Sequence, residues 1–317
     1  MASTVKITFL GTGGSWPFPG RGLPAVALQI DDTLNLLDCG EGTQKQIMKS
    51  SISFMKIDNV FITHFHGDHF LGLLGLVQSM SFNGREKELN IYGPPGAISI
   101  LSNALNVGFY SLNFRITLNE LLLNREYDFG SFTVTAHMND HPVPAYSYRF
   151  HENDLVKIDG EKAKKIGIPS ILLEKLRRDG TVIHDGRLFR LEEVSAGIRH
   201  GRTVVYTGDT RPMENMAEFA KDADVFIHDT TTDSTLEPKV NEFGHSSSRQ
   251  AAEIALKAEV KRLYLFHYSP RVERTDILVE EARAIFPESY ASKEMMEYDV
   301  PARKVSEIQD DQDSVTV

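Results

Sequence analysis

The sequence of 317 residues has little cysteine, no long apolar run and no overall excess of positive charge. The single cysteine, Cys39, excludes an internal disulfide and a zinc site built from cysteine ligands. No stretch approaches the about 18 consecutive apolar residues that a membrane-spanning helix needs, so we expect no membrane partner. The N-terminus leads straight into a strand-like segment without a signal-peptide pattern, and we therefore expect a cytoplasmic protein.

The net charge of −10 argues against general affinity for nucleic acid. Basic side chains are nevertheless concentrated in residues 162–190, where eight Lys and Arg accompany three acidic residues. Two interpretations fit this stretch, a solvated helix face and a surface that contacts phosphates. It contributes little to the strand pattern, and we interpret it as an insert of two short helices and a turn at residues 185–186. Residues 307–313 read as an acidic, frayed tail.

Strand-like runs, rich in Val, Ile, Phe, Tyr and Leu, recur along the chain between Gly, Asp, Asn and Pro. They predict strands at residues 5–11, 25–30, 34–38, 59–64, 89–92, 132–137, 146–150, 203–208, 225–228 and 263–267. Helical patterns predict helices at residues 43–49, 70–82, 97–107, 213–222, 249–258 and 277–286. This order favours two packed sheets with helices outside, a four-layer αββα sandwich of the α/β class. We expect a single domain over residues 1–317.

The most informative motif is HFHGDH at residues 64–69, which places three imidazoles and a carboxylate within six residues. These groups are the nitrogen and oxygen ligands that zinc and similar divalent cations prefer. Without a metal, burying them together would cost several kcal/mol. The motif lies between a predicted strand and a predicted helix, and it predicts a metal site at that turn.

Three further candidate ligands, His141, Asp209 and His267, also lie where a predicted strand ends. Taken singly, each histidine fits an ordinary hydrogen-bonded polar group. Strand ends along one sheet edge are rigid and able to bring such side chains together. With the first motif they make five histidines and two aspartates, a full complement for two divalent ions: His64, His66, Asp68, His69, His141, Asp209 and His267.

These motifs resemble those of the metallo-β-lactamase superfamily and, within it, the ribonuclease Z family of tRNA 3′-processing endonucleases. The resemblance runs from residue 7 to residue 267. Its motifs are DCGEGTQ at residues 38–44, HFHGDH at 64–69, His141, TGDTRP at 207–212, GHSS at 244–247 and FHYSPR at 266–271. The histidine cluster alone is typical of the whole superfamily. The first motif, GHSS and the closing histidine motif point to ribonuclease Z.

The resemblance implies the four-layer metallo-β-lactamase sandwich and two Zn²⁺ per subunit, with Mn²⁺ or Fe²⁺ as alternatives. It implies that one metal is held by His64, His66 and His141. The other is then held by Asp68, His69 and His267, and Asp209 bridges the two.

The resemblance also implies that His245 is the general acid for the leaving 3′ oxygen, with Asp68 sharing in proton handling. The alternative for His245 is a capping partner at the start of a helix. Asp229 stands where the family has a glutamate, and a carboxylate there would orient His245. Asp38 is expected to support the metal ligands rather than to act in catalysis.

The resemblance further implies a tRNA-binding arm at residues 155–195, which coincides with the basic insert. The candidate phosphate contacts are Lys164, Lys165, Lys175, Arg177 and Arg178. Because family members are homodimers, we expect a homodimer. Residues 15–22 depart from the Pro-x-Lys-x-Arg-Asn loop of many members, and two roles fit Trp16 and Phe18 there: stacking on RNA bases, or packing under the loop.

The sequence therefore predicts a zinc-dependent endoribonuclease that removes the 3′ trailer from precursor tRNA, leaving a 3′-hydroxyl on the tRNA and a 5′-phosphate on the trailer. The alternative is a phosphodiesterase for small or cyclic phosphodiesters on the same binuclear scaffold. A non-catalytic RNA-binding member of the superfamily would have lost metal ligands. All seven candidate ligands are present, which disfavours that class.

Overall fold

The computed structural model describes residues 3–306, so the acidic tail predicted at residues 307–313 lies outside the described residues. The described chain separates into two compact units. The main unit comprises residues 3–151 and 203–301. The small unit comprises residues 152–202 and 302–306. Within residues 3–306, no helix has both the length and the apolar character needed to cross a membrane.

Strands and helices both occur throughout the described residues. The strands are β1 (Val5–Gly11), β2 (Ala25–Ile30), β3 (Thr33–Leu37), β4 (Ile57–Phe61), β5 (Leu89–Gly93), β6 (Ile116–Glu120), β7 (Glu126–Asp128), β8 (Phe132–Met138), β9 (Tyr146–Glu152), β10 (Leu155–Ile158), β11 (Thr181–His184), β12 (Arg187–Arg190), β13 (Ser195–Arg199), β14 (Thr203–Tyr206), β15 (Val225–Asp229), β16 (Leu263–Phe266), β17 (Ser289–Ala291), β18 (Glu297–Asp299) and β19 (Val305–Ser306). The α-helices are α1 (Thr43–Lys49), α2 (Gly67–Phe70), α3 (Gly72–Phe82), α4 (Ala97–Leu105), α5 (Gly160–Ile166), α6 (Leu173–Asp179), α7 (Glu214–Phe219), α8 (Glu237–Glu242), α9 (Ser248–Lys257) and α10 (Thr275–Arg283).

The main unit contains two seven-stranded sheets. Their strand orders are β18-β1-β2-β3-β4-β5-β6 and β17-β16-β15-β14-β9-β8-β7. Strands β3, β4 and β5 run parallel in the first sheet, as do β14, β15 and β16 in the second. The carboxyl ends of parallel strands lie at one edge of a sheet, which is where side chains that follow them can meet.

Alternation along the strands divides their side chains between two layers of core. Ile7 and Phe9 of β1 belong to the core that both sheets share, whereas Leu10 belongs to a core formed with α1, α3 and α4. In the same way Tyr206 of β14 faces the shared core, and Val205 packs in the core under α7, α9 and α10. The layer order is helix, sheet, sheet, helix, so the predicted αββα sandwich is confirmed.

The predicted strands at residues 5–11 and 25–30 and the predicted helix at 43–49 match β1, β2 and α1. The helix predicted at 70–82 is in fact two helices, and the first begins inside the histidine motif, at Gly67. The prediction missed the outermost strands of both sheets, β6, β18, β7 and β17. These strands have three to five residues and lack fully apolar faces, because an edge strand packs on fewer neighbours.

The small unit contains the two short helices expected from the basic stretch, α5 and α6. The expected turn is also present: Asp185 and Gly186 both have positive φ, 48° and 74°, and join β11 to β12 in a hairpin. The prediction missed the three-stranded sheet β10-β13-β19. Buried apolar side chains give the unit a core of its own, formed by Ala163, Ile168, Leu176, Val182, Phe189 and Val194.

A buried ion cluster closes the small unit where the chain enters and leaves it. The Glu152 carboxylate accepts hydrogen bonds from Arg199 Nη2 at 2.8 Å and from Arg202 Nε at 2.7 Å. All three side chains are at most 5% exposed. A buried carboxylate with two guanidinium partners has its charge and its lone pairs satisfied, so this cluster ties the two chain ends of the unit together.

Candidate metal centre

The predicted metal ligands come together at one edge of the main unit. Each follows a strand: the HFHGDH motif follows β4, His141 follows β8, Asp209 follows β14 and His267 follows β16. Their donor atoms form two clusters. One contains His64, His66, His141 and Asp209; the other contains Asp68, His69 and His267.

In the first cluster the histidine nitrogens face one another. His66 Nδ1 lies 3.1 Å from His64 Nε2 and 3.2 Å from His141 Nε2. Asp209 Oδ2 lies 3.6 Å from His64 Nε2. Donors at about 2.0–2.1 Å from a tetrahedral zinc ion are separated by roughly 3.4 Å, so these spacings suit a common divalent cation.

The second cluster has the same spacing. His69 Nε2 and His267 Nε2 are 3.4 Å apart, and they lie 3.3 Å and 3.2 Å from Asp209 Oδ1. Asp68 Oδ2 lies 3.5 Å from His267 Nε2. The two imidazoles and the Asp68 carboxylate therefore converge on one point, and Oδ1 of Asp209 faces the same point.

Asp209 lies between the clusters and is 2% exposed. Its Oδ1 is buried without a hydrogen-bond partner among the described residues. A carboxylate oxygen buried in this way is costly unless a cation satisfies it. Burial alone would raise the pKa of Asp209, but His267, His69 and the other nearby histidines lower this pKa well below its usual value. The donor set fits two divalent cations that share one carboxylate.

Asp38 holds the second cluster in place. Its fully buried carboxylate accepts hydrogen bonds from His69 Nδ1 at 2.7 Å, from Tyr206 Oη at 2.7 Å and from the Thr63 backbone N–H at 2.7 Å. Because Nδ1 of His69 is committed to Asp38, Nε2 is the nitrogen that faces the cluster. Burial lowers the pKa of His69, yet the carboxylates of Asp209, Asp38 and Asp68 outweigh it and raise this pKa well above its usual value.

Two glycines allow the backbone to approach the ligands closely. A Cβ on Gly14 would lie 2.2 Å from a ring atom of His267. Gly244 has a φ of +91°, and a Cβ there would lie 2.6 Å from His141 Nδ1. The Gly244 carbonyl instead accepts a hydrogen bond from His141 Nδ1 at 2.9 Å, which leaves His141 Nε2 free for the first cluster.

His245 lies beside the clusters and pairs with Asp229. Its Nδ1 is 2.9 Å from Asp229 Oδ2, so the aspartate is long enough to reach it. The His245 ring stacks on His267, and its side chain is 16% exposed. Burial lowers the pKa of His245, but the charges of Asp229 and Asp209 raise it overall to about 9. The capping residue of α9 is Ser247, so His245 is not the helix cap.

Sequence reasoning missed two residues that hold Asp38, namely Tyr206 and Thr63. A tyrosine at an inward position of a strand reads as core, and Tyr206 is indeed fully buried. Only its hydrogen bond to Asp38 shows the second role. Thr63 precedes the histidine motif directly and donates to Asp38 from both its backbone and its hydroxyl.

The small unit presents three of the predicted phosphate contacts to solvent. Lys164 and Lys165 lie on α5, and Lys175 lies on α6. All three are exposed. Within residues 3–306 they form no ion pair with an acidic side chain, so their charges are free for an anionic partner.

The two predicted arginines of the small unit have partners within it. Arg177 is half-buried, and its guanidinium donates to Glu174 and to the Val156 carbonyl at 3.3 Å. Arg178 is exposed and donates to Asp179 at 2.9 Å. Arg177 therefore helps to hold α6 against β10, and the charges of both arginines are partly neutralised.

The fold and the paired histidine and aspartate clusters define a metal-dependent hydrolase of the metallo-β-lactamase fold. YhfI of Bacillus subtilis, a metallo-β-lactamase fold protein, supports that fold with a TM-score of 0.68 and 22% identity over 93% of this chain and 99% of its own. Ribonuclease Z of Thermoplasma acidophilum is 63% identical over 304 residues, which cover 96% of this chain and 99% of the relative. The chain belongs to the ribonuclease Z family.

Further comparisons agree with this assignment. Ribonuclease Z of Bacillus licheniformis is 38% identical over 93% of this chain and 99% of its own. The crystal structure of the short form of human tRNase Z has a TM-score of 0.69 and 27% identity, covering 93% of this chain and 99% of that one. Residues 5–288 also match the family model described as Anti-Pycsar protein Apyc1, so the chain belongs to that family of sequences as well. The predicted family and the predicted metal-dependent endoribonuclease are confirmed.

Proposed function

We propose that this protein removes the 3′ trailer from precursor tRNA, leaving a 3′-hydroxyl on the tRNA and a 5′-phosphate on the trailer. The observation that carries the proposal is the buried Asp209 carboxylate, each of whose oxygens faces a separate histidine cluster. Membership of the ribonuclease Z family supports tRNA as the substrate of that site. We place the enzyme in the cytoplasm and expect it to act as a homodimer.

The two clusters would hold two Zn²⁺ per subunit, or Mn²⁺ or Fe²⁺ in their place. His64, His66 and His141 would bind one ion, Asp68, His69 and His267 the other, and Asp209 both. Divalent cations bound in this way lower the pKa of a coordinated water molecule towards neutrality. They also stabilise the negative charge that develops on phosphate oxygens.

We assign His245 the role of general acid, which delivers a proton to the leaving 3′ oxygen. Its Nδ1 is committed to Asp229, so Nε2 is the nitrogen that remains for the substrate. Asp229 is itself held by the Thr231 hydroxyl at 2.8 Å and by the Thr210 N–H at 3.2 Å, which fixes the orientation of the imidazole. Asp68 accepts a hydrogen bond from the Ser15 N–H, and we assign it metal binding and a share in proton handling.

Cleavage of a 3′-extended precursor tRNA by zinc-loaded protein tests the proposal, with the product end mapped to the nucleotide. We expect one cut near the discriminator position, abolished by His66→Ala. Turnover of a small phosphodiester without any tRNA cut would contradict the proposal and favour the small-substrate phosphodiesterase.

Replacing His245 by alanine should lower kcat for precursor tRNA on the order of 100-fold, because the leaving oxygen then departs without a positioned acid. Metal content should not change, since His245 lies outside the two ligand sets. Single-turnover rates and metal analysis of the same preparation measure both. His200→Ala removes an exposed histidine paired with Asp154 and should leave kcat unchanged. A His245→Ala enzyme with the wild-type rate would exclude the acid role.

Replacing the three free lysines of the small unit, Lys164, Lys165 and Lys175, by glutamine should weaken tRNA binding and lower the salt dependence of KM. For every phosphate that the protein no longer neutralises, the slope of log affinity against log salt falls by about 1. Turnover of bis(4-nitrophenyl) phosphate should stay the same, because the metal centre is untouched. The matched control replaces three exposed lysines of the main unit, Lys221, Lys239 and Lys257, and gives the same net charge. Equal effects in both triple variants would refute a specific role for the small unit.

A further inference from the structure

The only tryptophan of the chain, Trp16, is exposed beside the metal centre. Its side chain is 54% exposed, whereas Phe18, two residues on, is half-buried. Large aromatic side chains usually bury most of their surface, since each contributes a large apolar area. Trp16 therefore does not pack under its loop, and Phe18 is the better candidate for that structural role.

The loop that carries Trp16 touches a metal ligand through its backbone. The Ser15 N–H donates to Asp68 Oδ2 at 2.7 Å, and Ser15 adopts a φ of +70°. Covalent geometry then places the Trp16 Cα no more than about 8 Å from that carboxylate oxygen. The Trp16 side chain therefore starts one residue away from the backbone N–H that binds Asp68, beside the site where the scissile phosphate must lie.

The loop is anchored at both ends, which makes it a rigid support. The Glu294 carboxylate accepts hydrogen bonds from the Thr12 hydroxyl at 2.8 Å and from the Gly22 N–H at 3.2 Å. Arg21 donates to the Val272 carbonyl at 2.6 Å. The Arg21 guanidinium also lies over the ring of Tyr268, the neighbour of His267. A support that is ordered before substrate arrives loses little entropy on binding.

We propose that Trp16 is a specificity-determining residue, whose indole stacks on the unpaired base of a nucleotide adjacent to the scissile phosphate. The proposal rests on the proposed function, because it takes single-stranded RNA at the tRNA 3′ end as the ligand. An exposed indole on a rigid loop is a platform for any base, since every base has a π face. Stacking there would fix how far the strand advances past the metal centre, and hence which bond is cut.

The single tryptophan makes the test direct, because all indole fluorescence comes from position 16. Rapid mixing of wild-type enzyme with a 3′-extended precursor tRNA should quench this fluorescence before cleavage. Precursors that lack the base on one or the other side of the scissile phosphate identify the nucleotide, because quenching should vanish with one of them. Unchanged fluorescence while the intact precursor binds and is cut would overturn the proposal.

Kinetics supply the second measurement. Trp16→Ala should reduce kcat/KM for the intact precursor roughly 10- to 100-fold, and Trp16→Phe should restore most of it. On the abasic precursor Trp16→Ala should cost nothing further, as expected for two changes that remove the same interaction. Phe82→Ala, which removes a ring that is 93% exposed on α3, should have no effect.

The outcomes separate this proposal from the proposed function. Equal effects of Trp16→Ala on intact and abasic precursors would mean that the side chain only supports the loop, and the stacking proposal would fail. Full activity of Trp16→Ala on a precursor that the wild type cuts would refute stacking and leave the tRNA function in place. A wild-type enzyme that cuts no precursor would remove both.

Discussion

Asp209→Asn is expected to lower the rate of phosphodiester hydrolysis by roughly 1,000-fold or more, because the cations that Asp209 would help to hold would supply several kcal/mol of transition-state stabilisation. The carboxylate is 2% exposed, and its two oxygens face different histidine clusters. Asparagine has the same shape but offers one oxygen and no charge. One of the clusters would therefore lose its shared ligand, and the repulsion between two bound cations would no longer be offset.

Metal analysis of the purified variant should accompany the rate, since the expected cause is a loss of bound cation. We expect fewer ions per chain than in the wild type, with the overall fold retained by circular dichroism. Asp32→Asn is the matched control, because Asp32 is exposed and belongs to neither cluster. A variant with full metal content and a wild-type rate would disprove the bridging role of Asp209.

Asp38→Ala should lower the free energy of unfolding by about 3–5 kcal/mol. The substitution leaves the buried His69 Nδ1, the Tyr206 hydroxyl and the Thr63 N–H without their common acceptor. A buried donor without an acceptor pays its full desolvation cost, and here three do so at once. Denaturant unfolding of the metal-free protein measures the destabilisation without contributions from bound cations.

Asp38→Asn separates two roles of Asp38: accepting hydrogen bonds from buried donors, which stabilises the fold, and orienting His69 for metal binding. The amide is the same size and tolerates the φ of 55° at this position, so the loss of stability should be smaller. Metal affinity should nevertheless fall about 10- to 100-fold, because His69 loses the carboxylate that fixes its tautomer. Asp31→Asn is the control, since Asp31 also has a positive φ, 49°, and its carboxylate accepts a hydrogen bond from the Thr4 N–H away from the metal centre. Unchanged metal affinity in Asp38→Asn would contradict the orienting role.

The metal centre could be predicted from the sequence because its ligands are local patterns at strand ends. The HFHGDH motif supplies four candidate ligands by itself, and β14 and β16 have strongly apolar sequences that make their ends easy to find. The edge strands could not be found in this way. Their residues pack on one neighbour, so little periodicity is imposed on them.

Contacts between distant residues were also beyond sequence reasoning. Nothing in the alternation of β14 distinguishes the Tyr206 hydroxyl, which reaches Asp38 from the other sheet. The basic stretch gave the correct helices and turn, but charge counting could not tell the free lysines from Arg177 and Arg178, which pair with acidic neighbours. Local pattern identifies residue types and elements, whereas partner choice depends on the assembled fold.

The positions of the candidate ligands also link the thermal stability of the enzyme to its catalytic activity. The first cluster takes His64 and His66 from the end of a strand in one sheet, and His141 and Asp209 from the ends of strands in the other. A cation bound there would act as a cross-link between the two halves of the sandwich, present in the native state and absent from the unfolded one. Metal supply would then set resistance to heat and catalytic competence together, through the same four side chains.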